Sequence, residues 1–273
     1  MNRSTRLRIG GQIILLFPLI LLWTIPASVK IVLMTLWPVL LVIYYYPSIL
    51  SYIAFIMYNT KGKTFYLKLM ASAYKSKRVD PESAATYSYI LLKDGQLEKS
   101  SEVLDYAENR AKEMIHWRKG KNRYNHVHSY RALILWKEDR MDDAADLLIN
   151  LLKENYRTSV LYANLGWFLI KLQKYDEALA VNLEALEYDR SNAILDNIGL
   201  TYMKMGDLEK SHEFYTELIG KDPDFPDAWF NFGQLLEQKG IGEEAQKMFR
   251  KSLDCEFSYL GTVTKEEVEL AIK

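Results

Sequence analysis

The first sixty residues contain two long apolar stretches. No charged residue lies between Arg8 and Lys30, or between Lys30 and Lys61. A helix that crosses the hydrocarbon core of a bilayer needs about 20 apolar residues. Each stretch reaches that length, so the pattern predicts a two-helix transmembrane hairpin at residues 1–60, with a tight turn near residues 26–30.

Proline interrupts both predicted spans. Pro18, Pro38 and Pro47 each remove a backbone N–H donor, so we expect kinks there. Pro47 follows three tyrosines, and a re-entrant second segment is the alternative to a full span. A cleaved signal peptide is the alternative for the first span, but residues 24–27 (TIPA) lack the small–x–small pattern that favours cleavage.

The charged residues that flank the spans predict their orientation. Basic residues precede the first span and follow the second, whereas the turn between the spans carries only Lys30. Cytoplasmic flanks are enriched in Lys and Arg, so both ends of the hairpin are expected in the cytoplasm. Residues 61–80 are expected to form a basic linker helix.

From about Asp80 the apolar residues adopt helical spacing within a unit that recurs. Gly166, Gly199 and Gly233 are separated by 33 and 34 residues, and so are Ala178, Ser211 and Ala245. Three clear copies contain the paired motifs SVLYANLG and QKYDEA, LDNIG and GDLEKS, and WFNFG and GIGEEA. Weaker copies of the second motif begin at Lys93 and Glu138.

This unit resembles the tetratricopeptide repeat, in which two antiparallel helices form each unit and the units stack. The resemblance implies an all-α fold, an α-solenoid of about five helix pairs, in which Gly166 and Ala178 allow close packing within a unit. It places the units at about residues 81–114, 125–158, 159–191, 192–225 and 226–258, with an insertion near 110–124. Residues 259–273 are expected to form a C-terminal capping helix beginning after Thr264.

Charge separates the two parts of the chain. Residues 1–80 contain ten basic residues and one acidic residue, so the remaining chain holds 25 of the 35 basic and 34 of the 35 acidic residues. An acidic repeat region makes nucleic acid an unlikely partner, because phosphate binding requires basic surface. The single cysteine, Cys255, excludes an intramolecular disulfide.

The sequence contains no arrangement typical of catalysis. It has no glycine-rich phosphate loop, no Cys/His metal spacing and no nucleophile motif. His126 and His128 would point in different directions on a helix, which makes them poor joint metal ligands. We therefore predict neither an enzyme nor a cofactor or metal site.

A column of asparagines is the first candidate binding site. Asn164, Asn197 and Asn231 each lie two residues before the packing glycine of their unit. In the family that position faces the concave groove, where amides can pair with the backbone of an extended peptide. Aromatic residues predicted to line the same peptide-binding groove are Trp167, Phe230, Tyr130 and Trp136. The family's Lys/Arg clamp for a terminal carboxylate is not present before these asparagines.

The basic insertion is the second candidate. It interleaves aromatic residues with a patch formed by Arg110, Lys112, Arg118, Lys119, Lys121 and Arg123. Such a patch near a membrane can hold anionic lipid headgroups. RNA, an acidic partner, or simple exposure to solvent remain alternatives.

These patterns predict a membrane-anchored scaffold or adaptor that binds a partner protein or peptide through its concave groove. We expect it in a bacterial cell membrane with the repeats on the cytoplasmic side. The alternative is a structural subunit of a larger membrane complex, in envelope assembly, secretion or quality control.

Overall fold

A computed structural model describes residues 26–117, 119–187 and 189–272, and every regular element in these ranges is a helix. Most of the predicted first span and Arg118 lie outside the described residues. The helices are α1 (Ala27–Lys75), α2 (Pro81–Lys93), α3 (Leu97–Lys112), α4 (Gly120–Ser129), α5 (Arg131–Lys137), α6 (Met141–Lys153), α7 (Ser159–Lys171), α8 (Tyr175–Leu186), α9 (Asn192–Met205), α10 (Leu208–Ile219), α11 (Pro226–Gln238), α12 (Gly242–Leu253) and α13 (Lys265–Ala271).

The described residues form two compact units. The first comprises the chain up to Ile90 together with Glu102–Val127, and the second comprises Leu91–Ser101 together with His128–Lys273. The second unit is a stack of helix pairs, so the prediction of an all-α, solenoid-like repeat fold is confirmed. The transmembrane hairpin stays a prediction.

Helix α1 is broken at Gly62, whose φ of 77° and ψ of 175° are not helical. Beyond this break the helix returns along its first half. The Tyr46 hydroxyl lies 3.1 Å from Ser72 Oγ, and the rings of Tyr58 and Tyr66 make an edge contact at 5.5 Å. The segment expected to be a linker therefore packs against the apolar helix instead of simply leading away from it.

A backbone carbonyl freed by proline is satisfied from outside α1. Pro47 has no N–H to donate to the carbonyl of Ile43, one turn earlier. The guanidinium of Arg78 donates to that carbonyl, with 3.1 Å between Nη2 and the oxygen. Ser51 Oγ in turn donates to the carbonyl of Pro47 at 2.8 Å.

Helix α1 is also the described helix that has the length and apolar composition required to cross a membrane, over Thr35–Lys75. Its assignment as a membrane span depends only on length and composition, which a core helix of a soluble protein or a signal sequence would share. Its large apolar side chains from Ile31 to Ile56 are mostly exposed. Packing within the described protein therefore does not account for the apolar character of this helix.

Five helix pairs share one turn geometry. In each turn, an N–H donates to a carbonyl five residues earlier, over 2.8–3.0 Å, at Gln96, Arg140, Lys174, Asp207 and Ile241. The residue before each donor has a positive φ, and these residues are Gly95, Asp139, Gln173, Gly206 and Gly240. This is the Schellman arrangement that ends a helix and turns the chain.

The extra residues between the turns of the first and second pairs lie mostly in helices. Gly95 and Asp139 are 44 residues apart, compared with 33 or 34 for later turns. The intervening α3 has 16 residues, against 12 or 13 in the equivalent later helices, and α4 extends the next first helix toward its N-terminus. The insertion is therefore largely helical.

The packing glycines face bulky residues on the second helix of the same pair. A Cβ added to Gly166 would lie 2.1 Å from Asn182 Nδ2, and one added to Gly233 would lie 2.5 Å from a ring carbon of Phe249. At Gly199 the corresponding neighbour is Tyr215, at 2.8 Å. Close approach was expected at Gly166, but Asn182, one turn beyond Ala178, is the residue that fills the space.

Candidate partner-binding surface

Two of the three groove asparagines join successive repeat units. Asn197 Nδ2 donates to the carbonyl of Ala163 at 2.7 Å and to Asn182 Oδ1 at 3.2 Å. Asn231 Nδ2 donates to Asp196 Oδ1 at 3.2 Å. Two of these acceptor residues, Ala163 and Asp196, immediately precede the equivalent asparagine of the preceding unit. Both asparagines are buried, with 4% and 6% exposure, so these amide donors are engaged within the protein.

The remaining predicted groove residues fall into two groups. Phe230 is buried, and its ring packs 5.5 Å from that of Phe249, so it contributes to the core. The others are partly exposed: Asn164, Tyr130, Trp136 and Trp167. Tyr130 lies between α4 and α5, and Trp136 near the end of α5.

The structure brings both predicted tryptophans together. The rings of Trp136 on α5 and Trp167 on α7 make an edge contact, with 4.4 Å between their centroids. Lys137 Nζ lies 3.7 Å from the Trp136 ring centroid, and Lys171 Nζ lies 5.5 Å from that of Trp167. We call these four residues the Trp–Lys patch. Sequence reasoning found its tryptophans but not its lysines, which follow Trp136 by one residue and Trp167 by four.

Two properties make the Trp–Lys patch suitable for contact with a partner. Burial lowers the pKa of Lys137, which shows that its ammonium is partly removed from water. The rings of Trp136 and Trp167 are partly exposed, so an apolar side chain of a partner could pack on them while a carboxylate pairs with the exposed Lys171. The indole Nε1 of Trp167 is buried, without an acceptor among the described residues, and lies out of reach of a partner.

A buried polar cluster lies next to Asn231. The carboxylate of Asp196 accepts hydrogen bonds from Asn231 and from the hydroxyl of Tyr215, at 3.2 Å each. Burial, together with repulsion from Asp227, raises the pKa of Asp196 to about 7. Burial also raises the pKa of Tyr215. Sequence reasoning missed this cluster, although an acidic residue where the other units have Ala163 and Phe230 was a visible signal.

The basic insertion is partly neutralised. Arg110 pairs with Glu113 at 3.0 Å, and Arg123 Nε pairs with Glu82 at 3.1 Å. The lysines predicted for this patch are exposed: Lys112, Lys119 and Lys121. Because two of its arginines already contact acids, the patch offers less free positive charge than its composition implies.

Comparison with known proteins matches this architecture. The family model described as "Tetratricopeptide repeat" matches residues 131–193 and 197–255. Photosystem I assembly protein Ycf3 of Synechococcus sp. (strain CC9605) is 32% identical over 136 residues, covering 46% of this chain and 76% of that protein.

Solved structures agree at the level of the fold. PilF of Pseudomonas aeruginosa aligns with a TM-score of 0.52 at 17% identity, covering 70% of this chain and 80% of that one. A tetratricopeptide repeat protein from Parabacteroides merdae aligns with a TM-score of 0.50 at 12% identity, covering 83% and 97%. At these identities the likeness concerns the fold alone.

Proposed function

We propose that this chain, which belongs to the tetratricopeptide repeat family, is a membrane-anchored adaptor that binds a partner protein and catalyses no reaction. Its repeat fold is one that works as a protein-interaction scaffold. The observation that carries the proposal is the Trp–Lys patch, which presents aromatic and cationic groups together on successive first helices.

The Trp–Lys patch has the composition of an interaction hot spot. Tryptophan is strongly enriched among the residues that dominate binding energy, because a large ring can be desolvated at little entropic cost. The two ammonium groups favour a partner segment with carboxylate or carbonyl oxygens beside an apolar side chain. Asn164 and Tyr130, which precede the patch residues of their own units, are proposed as flanking contacts.

We propose a narrower role for the asparagine column than the sequence indicated. Asn197 and Asn231 support the groove by joining neighbouring units, whereas Asn164 is the member available to a ligand. The partial exposure of Asn164, compared with the burial of the other two, supports this division.

The membrane anchor is proposed from α1. Up to Tyr46 its described side chains are exposed or partly exposed on every side. From Pro47 onward one stripe is buried, formed by Pro47, Ser51 and Ala54. This change supports a lipid boundary near Tyr46, because the charged Arg78 contacts the backbone only one turn earlier.

This boundary favours a short hairpin. Between the charged Lys30 and this boundary, residues 31–46 form 16 helical residues, or about 24 Å, which is less than the roughly 30 Å of hydrocarbon in a bilayer. A hairpin that enters and returns through the cytoplasmic face of a bacterial cell membrane, as Pro47 first indicated, fits this length. It would keep both of its ends and the repeats in the cytoplasm, and it would raise the partner's effective concentration at the membrane.

The proposed role is in the assembly of a membrane protein complex. The Synechococcus relative is a photosystem I assembly protein, which supports an assembly function without identifying the complex. A permanent structural subunit of such a complex is the alternative. Native mass measurement after mild detergent extraction separates the two, since a permanent subunit remains in a complex of fixed stoichiometry.

The exposed lysines of the insertion are proposed as a supplementary lipid contact. Lys112, Lys119 and Lys121 belong to the same compact unit as α1. Replacing all three by Gln in the full-length protein should weaken its association with anionic vesicles more than with neutral vesicles. Equal loss on both vesicle types would contradict a headgroup contact.

Photo-crosslinking in native membranes tests the partner-binding proposal. A photoreactive lysine analogue that keeps the ammonium, placed at position 137 in the Trp–Lys patch, should form a specific crosslink to one protein. The matched position is 247, where Lys247 is exposed on the second helix of the last pair. The same crosslink from position 247, or no specific crosslink from position 137, would contradict binding at the patch.

A further inference from the structure

The segment between the last two helices returns to the beginning of the solenoid. Helix α12 ends at Leu253 and α13 begins after Thr264, which forms a capping box with Glu267. Helix α13 is held in place, because Val268 is fully buried and Gln246 donates to the carbonyl of Ala271 at 3.0 Å. We call residues 257–263 between these helices the return segment.

Tyr259 forms the first contact of the return segment. Its backbone N–H donates to the carbonyl of Lys93 at 3.4 Å. Its ring lies 3.9 Å from the position that a Cβ on Gly95 would occupy, and 4.6 Å from Lys137 Nζ. Tyr259 therefore reaches the ends of the first helices of the first two repeat units and shares Lys137 with Trp136.

Thr262 forms the second contact. Its backbone N–H donates to Asp227 Oδ1 at 2.9 Å, and its hydroxyl donates to the same oxygen. Asp227 is buried in the first turn of α11, the first helix of the last unit. Between the two contacts the carbonyl of Ser258 accepts from the N–H of Gly261 at 2.9 Å, which closes a turn with Tyr259 within it.

These contacts resemble the way a solenoid holds a ligand in trans. Two residues of one short segment, Tyr259 and Thr262, connect the first, second and last repeat units, and the segment has no regular secondary structure. Its attachment is weak, however. The Tyr259 ring is 42% exposed, and exposed cation–π contacts and individual hydrogen bonds each contribute only about 1 kcal/mol. A segment held in this way can be displaced.

We infer that the return segment is an internal ligand that covers one side of the Trp–Lys patch, and that partners displace it with a similar turn. The chemistry of the contacts defines the partner segment: an aromatic residue for the site at Gly95 and Lys137, followed three positions later by Ser or Thr for Asp227. This inference rests on the proposed function, because it names the peptide class that the same patch takes.

A peptide with the sequence of residues 256–264, EFSYLGTVT, is the direct probe. With a fluorescent label it would be titrated with full-length protein in detergent, and binding followed by anisotropy. In the wild type the tethered segment competes at an effective concentration in the millimolar range. The double substitution Tyr259→Ala/Thr262→Ala releases the tethered copy, so it should increase the affinity for the added peptide by about tenfold or more.

Matched variants separate release from misfolding. Tyr259→Phe keeps the ring, and Glu256→Gln changes an exposed residue outside the contacts, so both should bind the peptide as weakly as the wild type. Adding Lys137→Glu to the released variant should abolish binding. Circular dichroism should report unchanged helix content and thermal midpoint for each variant.

The outcomes are decisive. Equal binding by the wild type and the released variant, or no binding by a folded released variant, would overturn the internal-ligand inference. Failure of the peptide test alongside a specific crosslink from position 137 would refute only this inference. Peptide binding without that crosslink would instead refute the proposed partner site.

Discussion

In α1 the side chains of Ile31, Leu40 and Val42 are largely exposed, whereas in the repeat helices Tyr162, Phe168 and Phe249 are fully buried. Both regions contain large apolar side chains, but these side chains have different surroundings. In the repeats, each large side chain lies against a neighbouring helix, often opposite a glycine. In α1 the described protein supplies no such neighbour from Ile31 to Tyr45, where the described side chains are exposed or partly exposed.

The two regions therefore depend on different surroundings for their stability. The repeat helices obtain their stability from precise internal contacts, including buried polar ones. The part of α1 from Ile31 to Tyr45 requires apolar surroundings from outside the chain, which we propose are lipid. Changes to internal contacts should therefore affect the repeats strongly, and the effects can be ranked by the groups that each change leaves buried.

The largest expected effect concerns the buried carboxyl of Asp196. Burial raises the pKa of this carboxyl from its ordinary value of 3.8 to about 7 in the folded state. Between these pH values the folded protein binds a proton that the unfolded chain releases, so stability falls as pH rises from about 4 to about 7. The loss is on the order of 4 kcal/mol.

Urea unfolding at several pH values across this range would measure the loss of stability. Asp196→Asn should remove most of that slope while keeping an oxygen to accept from Asn231 and Tyr215. The control Asp142→Asn, which removes an exposed carboxylate, should keep the slope. A slope unchanged by Asp196→Asn would assign the pH dependence to other groups.

The packing glycines should give the next largest effect. In Gly233→Ala the new Cβ would lie 2.5 Å from the Phe249 ring, so the two helices must separate. Overpacking of this kind costs about 1–3 kcal/mol. Gly242→Ala is the matched control, because no atom lies within 4 Å of its Cβ position. Thermal unfolding followed by circular dichroism should show a lower midpoint for Gly233→Ala alone, and equal midpoints would contradict the packing described.

Two asparagines at the same repeat position provide a finer comparison. Asn197→Ala removes the donor to Ala163 and Asn182 and leaves buried acceptors unpaired, at a cost of about 1–2 kcal/mol. Asn164→Ala changes a partly exposed residue and should cost less than about half of that. Both free energies of unfolding can be measured in urea. A larger loss for Asn164→Ala would reverse the roles assigned to these two residues.

The smallest expected effect concerns the carbonyl of Ile43 in α1, which has no helical N–H donor because residue 47 is proline. Arg78→Ala should cost about 1 kcal/mol, because the carbonyl of Ile43 loses its donor. In a Pro47→Ala background the restored N–H can satisfy that carbonyl, so the same Arg78→Ala change should cost less. Thermal unfolding of the four proteins of this double-mutant cycle measures the coupling. Equal costs in both backgrounds would show that Arg78 acts on stability by another route.

The repeats could be predicted from the sequence because their signals are local and recur. Glycine spacing near 34 residues indicated the helix pairs, and Trp136 and Trp167 were both predicted to line the groove. The uses of Asn197 and Asn231 could not be predicted in this way, since their acceptors come from the preceding unit. The contact between Arg78 and Ile43 spans 35 residues and follows no periodic pattern. Tyr259 lies beyond the repeats, where no repeat signal pointed to its contact with Lys137.

Thiol accessibility tests the central contrast between α1 and the repeats most directly. In a Cys255→Ser background, Val39→Cys places a thiol on the exposed apolar part of α1, and Lys247→Cys places one on an exposed repeat helix. A water-soluble maleimide should label Lys247→Cys in opened native membranes, and Val39→Cys only after detergent extraction. Rapid labelling of Val39→Cys in intact bilayers, at the rate of Lys247→Cys, would contradict a lipid environment for α1.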